Sequence, residues 1–109
     1  MKKGQQVSRF AIGVDLGGTN LRIAAIEESG RLLEKLSFSV RALAGRDEVI
    51  EELCRAVRDL SSKHDKDASL AGIGVGVPGI IYVQTGMLRQ SPNLPGWENF
   101  PVRDAIASR

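Results

Sequence analysis

Phe10 to Leu16 form a short apolar run that stops at Gly17-Gly18-Thr19-Asn20, and Leu21 to Ile26 take the apolar pattern up again. This predicts a strand, a tight turn and a second strand. Glu27-Glu28-Ser29-Gly30 supply another turn, after which Leu32, Leu36, Phe38 and Val40 alternate with Leu33, Lys35, Ser37 and Ser39. The third strand thus has one apolar face, interrupted by Glu34, and one mostly polar face. From Asp47 to about Lys63 the period lengthens from two to about 3.6, which places Val49, Ile50, Leu53, Val57 and Leu60 on one side of a helix. Asp47, Glu48, Glu51 and Glu52 precede Arg55, Arg58 and Lys63, the charge order that suits a helix dipole.

Leu70 to Val77 are continuously apolar or glycine, which predicts a buried strand. Pro78-Gly79 turn the chain, and Ile80 to Val83 can pair with Met87-Leu88 around Thr85-Gly86. Pro92, Pro95 and Pro101 mark a loop, with Pro101 suited to a helix first turn and Val102, Ala105 and Ile106 forming an apolar stripe behind it. The order is β-β-β-α-β, then loop and helix. The last helix is expected to be cut short, since Arg109 arrives before any cap or following strand.

The chain has 109 residues, enough for one domain and one core. Two lobes around a cleft would need more. Fifteen Lys and Arg against 13 Asp and Glu leave a net charge of +2, too small for a nucleic-acid surface. A single cysteine excludes an internal disulfide and a cysteine zinc cage, and no run has the length of a signal peptide core or membrane span. A soluble, cytoplasmic chain without membrane or nucleic-acid partners is expected.

The densest chemistry lies in Asp15-Leu16-Gly17-Gly18-Thr19-Asn20. Two residues without Cβ let an anion approach backbone N–H groups, and Thr19 adds a hydroxyl donor. Asp15 would repel a phosphate unless a divalent cation lay between them, and Mg²⁺ commonly joins one or two carboxylates to nucleotide phosphates. Arg22 adds a cation if its side chain faces the same way. The same residues also suit an ordinary hairpin, and both readings stand at this point.

Gly74-Val75-Gly76-Val77-Pro78-Gly79 spell the dinucleotide fingerprint GxGxxG, yet a β-type run follows where that fingerprint needs a helix. A period of two explains them better: Gly72, Gly74 and Gly76 share one bare face that invites close packing. Gly79 then lies just beyond the strand's carboxyl end, where open α/β sheets take ligands, or simply makes a tight turn. In Ser91-Pro92-Asn93-Leu94-Pro95-Gly96-Trp97, Asn93 can donate and accept at once and Ser91 adds a hydroxyl, which suits a sugar; Asn93 equally suits a turn cap. Trp97 is expected to anchor the loop in an apolar pocket. Cys54 is read as a packed thiol and His64 as solvated.

Taken together, Ile12 to Arg22, Gly74 to Gly79 and Pro92 to Trp97 resemble the N-terminal part of the ROK family (repressors, open reading frames, kinases), in particular its bacterial glucokinase-like sugar kinases. The resemblance implies a tail over residues 1–9 and, over 10–109, part of an actin-like ATPase (ribonuclease H-like) lobe with a mixed sheet. It implies that ATP and Mg²⁺ are the cofactors. Asp15 would help hold the Mg²⁺, through water; Gly17, Gly18, Thr19 and Asn20 would wrap the phosphates, with Arg22 nearby; and Gly79, Asn93 and Ser91 would line a sugar pocket. The reaction would be γ-phosphoryl transfer to a hexose hydroxyl, glucose O6 first, in a homo-oligomeric full-length protein.

The same resemblance places the catalytic base in an Asn-Asp pair, and no such dipeptide occurs here. No catalytic residue is therefore assigned, the base being expected beyond Arg109 together with any zinc motif and the adenine-holding lobe. A general base typically contributes about 10²–10⁴-fold, so these residues alone should not phosphorylate sugar. Asp104, on a surface helix, is a poor substitute. A sugar-sensing lobe of a ROK repressor, a kinase for fructose, mannose or an N-acetylated hexose, and a free-standing nucleotide-binding module are the alternatives. Polyphosphate is a second possible donor.

Overall fold

A computed structural model of the chain describes residues 8–40, 45–66, 68–91 and 94–109. Strands β1 (Ser8–Leu16), β2 (Asn20–Glu27) and β3 (Leu32–Ser39) form an antiparallel meander, and helix α1 (Arg46–His64) returns the chain to β4 (Ala68–Gly76), which lies parallel to β1. The sheet order is β3-β2-β1-β4, the mixed sheet that the family resemblance implies. A small hairpin of β5 (Ile80–Tyr82) and β6 (Met87–Gln90) and a short helix α2 (Val102–Ala107) complete the order.

The period of two decides which side of the sheet is covered. Phe10, Ile12, Val14 and Leu16 of β1 and Leu21, Ile23 and Ala25 of β2 are buried on one face, together with Val49, Ile50, Leu53, Ala56, Val57 and Leu60 of α1. Each fully buried Leu, Ile or Phe contributes about 1.5–3 kcal/mol, against about 0.3–1 kcal/mol for a charge well placed on the helix dipole. Burial therefore fixes α1, and its acidic start and basic end are a small addition.

Two expectations about the strands are corrected. The strand expected to be buried, β4, is the sheet's edge among the described residues, and most of it is exposed; Ile73 stands 44% open. A continuous apolar run signals burial only where both neighbours and both faces are occupied. In β3, a bulge opposite Ala25 and Ile26 slips the alternation, so that Leu32 points outward and Leu33 packs towards the core.

Glu34, the interruption on the apolar face, pairs with Ala25 and so falls on the side of α1. Its carboxylate accepts a hydrogen bond from Lys63 Nζ at 3.0 Å and lies 3.2 Å from His64 Nε2. His64 is half-buried, edge-on to the Phe10 ring at 6.1 Å, and not the solvated side chain expected. Cys54 is a buried thiol, its Sγ 3.8 Å from the Ile106 carbonyl, as expected of a packed cysteine. No described helix is long and apolar enough to cross a membrane.

Candidate functional site

β1 and β4 run parallel with Asp15 beside Gly76, so the loops that leave them, Gly17 to Thr19 and Val77 to Gly79, emerge at the same end of the sheet. Ligands of open α/β sheets bind beyond such carboxyl ends. The first residue of α1, Arg46, starts at this end too, because α1 runs back along the sheet to place His64 beside Phe10 near the start of β1.

The β1–β2 turn is tight. Gly17 N–H donates to the Asn20 carbonyl at 2.9 Å, and Val40 N–H donates to the Thr19 carbonyl at 2.8 Å, tying the end of β3 to the turn. A Cβ on Gly17 would stand 3.3 Å from the Asn20 oxygen, tighter than most real contacts. The left-handed glycines among the described residues are Gly30, Gly79, Gly86 and Gly96, so Gly17 is required for closeness and not for an unusual φ. Because its N–H is used inside the turn, Gly17 supplies shape, while Gly18 and Thr19 have no backbone acceptor among the described residues. Thr19 is exposed and Gly18 half-exposed.

Asp15 alternates away from the α1 face, its side chain 72% exposed. Its cross-strand partner is Arg22, whose Nη1 lies 3.8 Å from Asp15 Oδ2, so the arginine does face the same way. Gly13, Asp15, Arg22, Ala24, Lys35 and Gly74 line a shallow depression of about 280 Å³ on this open face. Lys35, which sequence reasoning passed over, stands there because it pairs with Ala24 across β2 and β3. The alternation of β3 carried that signal. Among the described residues no cluster of three or more His, Cys, Asp or Glu could hold a metal by itself. A lone exposed carboxylate at a strand end nevertheless fits Mg²⁺, which keeps several waters and takes its remaining ligands from phosphates.

Gly79 follows β4 at φ 127, and a Cβ there would overlap the Gln90 carbonyl oxygen and reach 3.0 Å from Ser91 Cα. Gly79 and Ser91 are thus packed together, at the start of β5 and the end of β6. Ser91 is 6% exposed, and its Oγ has no hydrogen-bond partner among the described residues. A buried hydroxyl left unpaired costs about 1–3 kcal/mol. Asn93 lies outside the described residues. The loop beyond is closed at its base, since Leu88 and Phe100 exchange backbone hydrogen bonds of 2.8 and 3.0 Å and Asn99 N–H donates to Arg89 at 3.0 Å. Leu94 and Trp97 fill its interior, each 3% exposed, and Trp97 meets the Phe100 ring edge-on at 5.4 Å. The anchor expected of Trp97 is present.

The GxGxxG spelling is followed by β5 and not by a helix, so it is no dinucleotide fingerprint. Asp104 sits exposed on α2.

Comparison with known proteins identifies the family and the fold. The sequence profile of the ROK family matches residues 11–109. The glucokinase of Thermotoga maritima is 34% identical over 98 residues, covering 90% of this chain and 30% of its own length. The xylose repressor of Caldicellulosiruptor bescii is 33% identical over 103 residues, covering 90% of this chain and 25% of its own. Among solved structures, the inorganic polyphosphate/ATP-glucomannokinase of Arthrobacter sp. strain KM superposes with a TM-score of 0.72 at 28% identity, over 92% of this chain and 40% of that one. The chain spans about 30% of the length of the curated glucokinases it matches. Its mixed sheet is that of the sugar kinase structures, an actin-like ATPase lobe. With the profile matched over almost its whole length, the chain belongs to the ROK family.

Proposed function

We propose that these residues form the phosphate-binding and part of the sugar-binding side of an ATP-dependent hexose kinase, with glucose O6 as the first acceptor to test. The observation that carries this reading is the shared end of the parallel pair. The β1 turn, with Asp15 beside it, and the β4 loop leading to Gly79 and Ser91 both open there. Phosphoryl transfer needs positioning and charge neutralisation more than covalent help from the protein, and a lobe that holds both reactants near one sheet end supplies the first.

In this reading the amides of Gly18 and Thr19 donate to phosphate oxygens, with Gly17 and Asn20 shaping the turn. Asp15 orients Mg²⁺ through water, and the bound ion offsets phosphate charge. Arg22, 3.8 Å from Asp15, keeps that carboxylate in place when no metal is present and can turn to phosphate when one is. Ser91 and Asn93 would take sugar hydroxyls. The base that removes the acceptor proton is not among these residues.

The 33% identity to a xylose repressor supports a second reading, a lobe that senses sugar without nucleotide. Titration of the chain with Mg·ATP, followed by amide NMR, separates the two. The kinase reading expects shifts at Gly18 and Thr19, weakened in Asp15→Asn. Glucose-induced changes near Ser91 with a silent turn, even at millimolar Mg·ATP, would replace it with the sensor reading. Polyphosphate in place of ATP tests the donor.

A further inference from the structure

We propose that Arg46 is a positioning residue for the loop segment from Leu94 to Phe100, a role that rests on the sugar-side reading of the adjoining Ser91 given above. Three contacts meet on one guanidinium. Arg46 Nη1–H donates to the Gly96 carbonyl at 3.2 Å, and the guanidinium carbon lies 4.2 Å from the centre of the Phe100 ring. Its Nε, buried and without a hydrogen bond of its own among the described residues, lies 3.5 Å from Asp47 Oδ1.

Two of these contacts hold opposite parts of the loop. Gly96, at φ 86, is the left-handed turn residue just before buried Trp97, and Phe100 closes the base against Leu88 while its ring takes the edge of Trp97. Arg46 therefore fixes the loop from outside, through a turn carbonyl and an aromatic face, and Trp97 fills it from inside. A planar fork can stack and donate in the same pose, whereas a flexible ammonium must divide the two tasks. Arg46 opens α1, whose buried stripe packs on β1 and β2, so the loop is referred to the rigid sheet that also carries the phosphate turn. A loop hinged only on the β5–β6 hairpin would lack that reference. Nothing in the spacing of the sequence pairs Arg46 with residues fifty positions later.

The test uses the single tryptophan, which lies inside the loop. Trp97 emission, amide exchange and glucose titration are compared for the unchanged chain, Arg46→Gln and Arg46→Lys, with far-UV circular dichroism to verify the fold. For Arg46→Gln the expected results are red-shifted Trp97 emission and exchange of the Trp97 and Asn99 amides faster by about tenfold, from loss of a cation–π contact and a charged hydrogen bond. Amides of β1 and β2 should not change. The apparent glucose dissociation constant should rise by a similar factor, with Arg46→Lys recovering part of each effect.

Unchanged emission and loop exchange in Arg46→Gln would overturn the proposal. So would faster exchange throughout α1 and the sheet, or a loosened loop that binds glucose as before, since each makes Arg46 a general structural contact. If the unchanged chain gives no glucose response while Arg46→Gln loosens the loop, the anchoring by Arg46 stands and the sugar reading fails.

Discussion

Two glycines in one short string, Gly74 and Gly79, should respond to the same substitution with opposite signs. Gly79 has φ 127, and the atom a new Cβ would overlap is a main-chain oxygen, that of Gln90, so no side-chain rotation relieves it. A non-glycine residue in such backbone costs about 1–3 kcal/mol, and forcing extra volume against a packed neighbour costs a similar amount again. Gly79→Ala should therefore lose about 3 kcal/mol or more. A domain of this size is stable by about 5–15 kcal/mol, so the loss is a large fraction of the total. Gly74 sits in extended β4 with nothing within 4 Å of a Cβ. Alanine there reduces the freedom of the unfolded chain without a clash and should stabilise by about 0.4–1 kcal/mol.

Urea denaturation followed by Trp97 fluorescence measures both variants. With a slope of about 1–3 kcal/mol/M, Gly79→Ala should lower the midpoint by about 1 M or more, and Gly74→Ala should raise it slightly. A Gly79→Ala midpoint within error of the parent would refute the packing assigned to that turn. A Gly74→Ala loss as large as that of Gly79→Ala would refute the open face of β4.

Other consequences are more direct. Leu53 is fully buried between α1 and the sheet, so Leu53→Ala should cost about 2–5 kcal/mol in the same urea assay. Burial pushes the Cys54 thiol above its ordinary range, with Arg58 and Arg109 opposing only in part. Its labelling by a thiol reagent near pH 8 should be slower in the folded chain than in urea by at least about tenfold.

What could be read from the sequence was local. The β1–β2 turn was legible because two apolar runs flank Gly-Gly, and α1 because five apolar positions share one face; its observed span, Arg46–His64, differs by a residue at each end. The exposure of β4 was not legible, since a run such as Leu-Ala-Gly-Ile-Gly-Val has the same composition at an edge as in the middle of a sheet. His64 was misread for the same reason: its place made sense only with Glu34, 30 residues away. In the candidate site, Asp15 and Arg22 were legible from their place beside the glycine turn, and the facing of Arg22 only from its pairing with Asp15. Lys35 was passed over although the alternation of β3 carried its signal, and Arg46 needed the return path of α1. Ser91 was named for its hydroxyl, but the burial of its Oγ with no partner among the described residues was visible only in the structure.

The Glu34 pair also separates stability from ligand binding. The Lys63 ammonium, followed by His64, holds the Glu34 carboxyl below the usual glutamate range. A carboxylate lowered on folding stabilises at pH values above its unfolded pKa of about 4.3, and that contribution disappears as the pH falls through the folded value. Glu27 and Glu28 are lowered in the same way by Arg31 and Arg9, so stability should decline in acid, and Glu34→Gln should make that decline shallower. Glu34 lies five residues before Ser39, the partner of Asn20, which places it about 17 Å along the strand from the β1–β2 turn. That is about two screening lengths at physiological salt. Removing the charge should therefore leave Mg·ATP-induced shifts at Thr19 unchanged while altering the acid limb of a urea midpoint against pH. A change of more than about twofold in the apparent nucleotide affinity would mean that Glu34 reaches the turn through the packing of α1 and β3, because screened charge cannot carry that far.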